Sequence, residues 1–98
     1  MAEMPVYLKP LDQMDPEFAR RVTDVLALVD AAAALDAKTK TLMALLGDAI
    51  LNHPEGVSAL ASRARQQGAT EQEIAETVRV AFTAGGVPAL ITALRAFR

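Results

Sequence analysis

The chain has no cysteine, no tryptophan, a single histidine and only 4% aromatic residues. Without cysteine, its 98 residues can form no disulfide, thiolate metal site or thiol nucleophile. One histidine falls short of the three or four ligands a metal site usually needs, so neither metal nor cofactor is expected. No uninterrupted apolar run approaches the ~20 residues of a membrane crossing, and no segment reads as a signal peptide. A cytoplasmic protein that does not enter the membrane is expected. An excess of one charge sign is also missing. Ten Lys and Arg face twelve Asp and Glu, for a net charge of −2. No basic block of the kind that grips phosphate backbones is present, so nucleic acid is not an expected partner. There is no internal repeat and no low-complexity linker.

Apolar side chains, by contrast, are abundant. They make up 52% of the residues, with a mean hydropathy of +0.21. A chain of this length forms one domain, and surface scaling has it bury roughly 64% of its unfolded surface. So small a domain cannot hide so many apolar groups alone, and a homo-oligomer is expected.

Residues 1–14 hold Pro5 and Pro10 and show no helical period, which predicts an extended N-terminal arm. Val6, Tyr7, Leu8 and Leu11 are too apolar for a solvated tail, so the arm is expected to lie over the core or over a neighbouring subunit. Tyr7 lining a pocket is the functional alternative. Residues 15–98 read as a helical domain. Asp15-Pro16-Glu17 starts a helix, with Phe18, Val22, Val25, Leu26 and Val29 on one face, running to Ala32 or Ala33.

Asp36 caps a second helix over Ala37 to Leu51, with Leu42, Leu45, Leu46, Ala49 and Ile50 at helical spacing. Lys38 and Lys40 sit in its first turn, where the helix dipole disfavours cations. Either they snorkel outward or pair with acids of another helix, or, with the free N–H groups, they form an anion site. A third helix, Glu55 to Gln67, ends at Gly68. Thr70-Glu71-Gln72-Glu73 is a capping box that opens a fourth helix to Thr83, with Ile74, Val78, Ala81 and Phe82 as its stripe. Ala84-Gly85-Gly86-Val87 breaks it, and Pro88 begins a last helix. No nucleotide-type glycine motif surrounds the two glycines, so a structural turn is the simpler reading and a backbone opening beside a ligand the alternative. The fold class is all-α, about five short helices.

The junction Asn52-His53-Pro54-Glu55-Gly56 is where chemistry would sit. Histidine is the side chain best suited to acid–base work and Glu55 is a carboxylate two residues on, so His53 and Glu55 are the candidate catalytic pair. The competing reading is structural, with His53 entering a helix and Glu55 complementing its dipole.

Three stretches carry a resemblance in order: Leu35-Asp36-Ala37-Lys38-Thr39-Lys40, Gly68-Ala69-Thr70 followed by Glu71-Gln72-Glu73-Ile74, and Ala84-Gly85-Gly86-Val87-Pro88-Ala89-Leu90. Together the chain resembles the carboxymuconolactone decarboxylase and alkylhydroperoxidase AhpD-like family over roughly its last two thirds. The resemblance implies the AhpD-like helical fold and assembly into trimers or hexamers. In redox members a Cys-x-x-Cys pair opens the third helix, and its positions fall on His53 and Gly56. The family glutamate falls on Thr41 and the histidine on Leu60. Non-redox members keep a histidine at the place of Leu60, so this chain departs from both patterns.

Three classes follow. One is a cysteine-independent, lyase-like enzyme or small-molecule-binding protein acting on a small organic acid or lactone. The second is a catalytically silent oligomeric scaffold. The third, alkylhydroperoxidase activity, is disfavoured by the missing thiols.

Overall fold

The computed structural model describes residues 3–97, so the first two residues of the expected arm lie outside the described residues. Five α-helices and two 3-10 turns make up the described chain, with no strand among them. The helices group into two compact units that divide between Ala33 and Ala34.

In the N-terminal unit, the 3-10 turn Val6–Leu8 leads into α1 (Lys9–Met14) and then α2 (Pro16–Asp30). The extended arm is thus replaced by helix. Both prolines are compatible with that. Pro5 is the residue before the 3-10 turn, and Pro10 sits in the first turn of α1, where a missing N–H leaves no bond unmade. Leu8 is buried while Tyr7 is 70% exposed and does not enter a core. The Asp15 carboxylate accepts the Phe18 N–H at 3.1 Å and caps α2. This helix ends at Asp30, earlier than its apolar period suggests, because Ala31 turns to extended backbone. Ala19 and Thr23 are its buried residues, the Thr23 hydroxyl donating to the Ala19 carbonyl. Phe18, Val25 and Val29 on the predicted apolar face remain more than half exposed.

In the C-terminal unit, α3 (Ala37–Ile50), α4 (Pro54–Gln66) and α5 (Glu71–Ala93) pack on one another, and the 3-10 turn Leu94–Phe97 closes onto α4. Leu45, Val57 and Ile74 are the largest fully buried side chains. Around them lie Ala49, Ala61, Ala64, Ala81, Ala93 and Ala96. Alanine at so many contact positions lets the helix axes approach closely.

Both helix ends of this unit are built alike. At the end of α3, Asn52 adopts φ +62°. Its N–H donates to the Ala49 carbonyl, and the His53 N–H to the Asp48 carbonyl at 2.8 Å. At the end of α4, Gly68 adopts φ +93°, the Gly68 N–H donates to Arg65, and the Ala69 N–H to Ala64. Each is a Schellman closure, satisfying carbonyls that would otherwise have no partner. The capping box at Thr70 and Glu73 forms as the spacing predicts, in both directions.

The break at Gly85-Gly86 is a kink inside α5. Gly86 takes φ +75° and ψ −164°, a conformation open essentially to glycine alone. Gly85 permits close packing, since a Cβ there would lie 2.6 Å from the Ala89 Cβ and 3.3 Å from Ile50 Cγ1. The stretch Glu71–Phe97 is long and apolar enough to cross a membrane by length and composition. Its inner stripe supplies Ile74, Val78, Ala81, Ala89 and Ala93 to the core, while Val80, Val87 and Ile91 on the outside are at least half exposed.

Candidate functional site

The polar cleft of the C-terminal unit lies at the α3–α4 junction. Asp48, Asn52, His53, Pro54, Glu55 and Gly56 line it, around about 500 Å³ of open space. The backbone here is held on every side. The His53 N–H closes the end of α3, and its carbonyl accepts the Val57 N–H at 3.0 Å to begin α4. Pro54 supplies the first helical residue. At the far side, the Thr92 hydroxyl reaches the Asn52 side-chain oxygen at 3.1 Å, so the second half of α5 buttresses the turn.

The histidine side chain meets Asp48, not Glu55. His53 Nδ1 lies 3.3 Å from Asp48 Oδ1, with 58% of the imidazole exposed and 28% of the Asp48 side chain. That distance is long for a charge-assisted bond, and more than half of the ring is open to solvent. Geometrically it has a clear source. A Schellman closure folds the residue after the left-handed one back onto the residue five earlier, which here sets His53 against Asp48. The Asp48 carboxylate also overlies Gly56, whose Cα hydrogen faces it. A Cβ at position 56 would collide with Oδ2. Glu55 lines the same cleft as an exposed first-turn acid, and no hydrogen bond joins it to His53.

Asp48 is therefore the residue the sequence reading missed. Its signal was legible. Asn52 directly before His53-Pro54 marks a left-handed helix end, and such an end brings the fifth preceding residue alongside.

With the proton on Nδ1 donated to Asp48, imidazole Nε2 is left as a base. The pair is thus equipped for proton transfer. The other positions singled out by resemblance hold no such chemistry. Thr41 is buried and donates its hydroxyl to the Ala37 carbonyl of its own helix. Leu60 packs against the core. Among the described residues, no group of three or more His, Asp or Glu is placed to hold a metal ion.

The two lysines of the first turn of α3 have protein partners. Lys38 Nζ donates to Glu73 Oε2 at 2.8 Å, which raises the lysine's pKa and lowers that of the glutamate. Lys40 is also engaged. The pairing reading holds for Lys38, with an acid of another helix.

Comparison with known proteins places these observations. The model of the carboxymuconolactone decarboxylase family matches residues 16–98. No curated protein matches the chain. Among solved structures, the apo form of a carboxymuconolactone decarboxylase family protein from Legionella pneumophila is similar at 27% identity and a TM-score of 0.83. The match covers 92% of this chain and 80% of that one.

Proposed function

The chain belongs to the carboxymuconolactone decarboxylase family, and on that premise we propose that it is a cysteine-independent member that binds a small lactone or organic acid at the α3–α4 junction and moves a proton there through His53. The observation that carries this reading is the Asp48–His53 contact at 3.3 Å inside the polar cleft. Asp48 orients the ring and selects the tautomer, and Nε2 is the group that takes or gives the proton. Two carboxylates, Asp48 and Glu55, line the cleft together with the imidazole. Like charges repel at this range, so an uncharged lactone suits the cleft better than a carboxylate. Having no cysteine, the chain supplies no thiolate for peroxide reduction.

The test is turnover of a panel of small lactones and their ring-opened acids by purified wild type, His53→Ala and Glu55→Gln. A positioned acid–base group contributes about 10²–10⁴-fold, and that loss is expected in His53→Ala. Unchanged turnover in that variant removes the acid–base role.

A second reading is a catalytically silent assembly, favoured by Thr41 closing on its own helix and Leu60 joining the core. Turnover by the wild type defeats it. Under both readings the protein works as a homo-oligomer, a trimer or hexamer, in which exposed apolar residues such as Val87, Ile91 and Leu94 are covered by further copies.

A further inference from the structure

A second concavity lies between the N-terminal halves of α3 and α5. It holds about 200 Å³, the share of about seven waters at ~30 Å³ each. Its floor is aliphatic and sulfur-bearing, from Leu42, Met43, Leu46 and Val80, and the Lys38–Glu73 pair stands among its walls. Nothing in the junction chemistry uses it.

The hydrogen-bonding capacity of that pair is one-sided. Glu73 has both oxygens engaged, Oε1 accepting the Thr70 N–H at 2.8 Å and Oε2 accepting from Lys38. The Lys38 ammonium carries three N–H donors, of which Glu73 takes one. The polar wall therefore has two unused donors to offer, both on Lys38. Its net charge points the other way. Glu73 is the carboxylate that shares the groove wall with Lys38, so the one cation there is already matched by an anion. An incoming carboxylate would gain the ammonium and meet the like charge of Glu73. An uncharged carbonyl group takes the donor without that repulsion.

We propose that the α3–α5 groove is a binding site for an uncharged apolar carbonyl compound, a medium-chain ketone or ester, with its oxygen on Lys38 Nζ and its chain along Leu42, Met43, Leu46 and Val80. The proposal goes beyond the junction reading and does not depend on it. Thr77 at the wall keeps its own hydroxyl on the Glu73 carbonyl, which leaves Lys38 as the recognising group.

Met43 is the built-in reporter. The full-length protein labelled with ¹³C at the methionine methyls is titrated with 2-nonanone, and separately with nonanoate. The expected result is a saturable shift of the Met43 methyl with the ketone, none at Met14, and at least severalfold weaker binding of nonanoate. Lys38→Met is expected to weaken the ketone by about tenfold, the loss of a charge-assisted hydrogen bond. Val80→Asp, at a half-exposed position outside the core, is expected to abolish the shift. Nonanoate binding as tightly as the ketone overturns the proposal. So does a Met43 signal that ignores the ketone and moves only with protein concentration, which would make the groove a contact between copies. His53→Ala leaves the titration unchanged, so failure of the junction reading and failure of this one are separable.

Discussion

At the residue scale, Gly56 is the position that holds the junction open. Its absent side chain is where the Asp48 carboxylate rests, and Asp48 in turn meets His53. Gly56→Ala gains about 0.5–1 kcal/mol of helix propensity and loses that resting place. We expect little net change in denaturant midpoint but a clear change in the His53 ring resonances, as the carboxylate swings away. Retained His53 resonances in that variant would show that Asp48 does not orient the ring. Ion pairs at this scale set a pH window. The Thr39 contacts lower the pKa of Asp36, the Arg65 bond that of Glu71, and the Lys38 bond that of Glu73. A carboxylate held below its unfolded value stabilises the fold above that value and loses the effect as pH falls through the folded one. Stability is therefore expected to decline from the ordinary carboxylate range downward, and the decline to be shallower in Glu73→Gln. Lys38 is raised by Glu73, so its contribution is complete below the ordinary lysine value and fades only in strong base. A thermal melt series from pH 2 to 7 measures the acid limb.

At the element scale, three local geometries can be broken singly. Asn52 ends α3 in the left-handed region at φ +62°. Asn52→Ala is expected to cost about 1–2 kcal/mol, since a Cβ without asparagine's local hydrogen bonding is disfavoured there, and Asn52→Gly is expected to be near neutral. The Gly86 kink is more restrictive, and Gly86→Ala is expected to cost about 1–3 kcal/mol. Thr70→Ala removes the forward half of the capping box, for about 1 kcal/mol. Urea denaturation of the three variants ranks them. A Gly86→Ala variant as stable as wild type would mean that α5 runs on without its bend. Arg65 links elements in another way, gripping both Glu71 oxygens and donating to the Ala96 carbonyl at 2.7 Å. It ties the last turn of α4 to the start of α5 and to the C-terminal 3-10 turn, and fixes where the chain ends its packing.

At the scale of the whole molecule, the apolar surplus of the sequence is visible on the surface. Leu28, Leu51, Val87 and Ile91 are each more than half exposed, although all sit on or beside helices. Burying such side chains is worth about 1.5–3 kcal/mol each, which favours association. Sedimentation equilibrium is expected to return a multiple of 10.4 kDa. Ile91→Lys, which leaves the core untouched, is expected to shift that mass downward. A monomer at tens of micromolar would contradict the oligomer. The exposed bend between α2 and α3, residues 31–36, is the expected site of first proteolytic cleavage, because it separates the two units and carries no helix.

The sequence by itself determined the helices and their punctuation. Asp15-Pro16, Asp36, Gly68, the Thr70–Glu73 box and Gly85-Gly86 are local devices, and each acts through backbone groups within a few residues, so spacing suffices to read them. It also determined, through the family resemblance, an all-α fold, and through the absence of cysteine the loss of thiol chemistry. It misjudged residues 6–14 because proline in a first helical turn leaves no bond unmade, and two short apolar runs gave no period to detect. What meets His53 was decided by a local helix end that Asn52-His53-Pro54 signals. Glu55 is nearer in sequence, but the left-handed Asn52 turns the chain so that Asp48 lies against the ring, and Gly56 gives its carboxylate room. The tertiary structure, by contrast, decided that Lys38 faces Glu73, 35 residues away. Such pairings depend on where packed helices cross, which no local pattern of residues encodes.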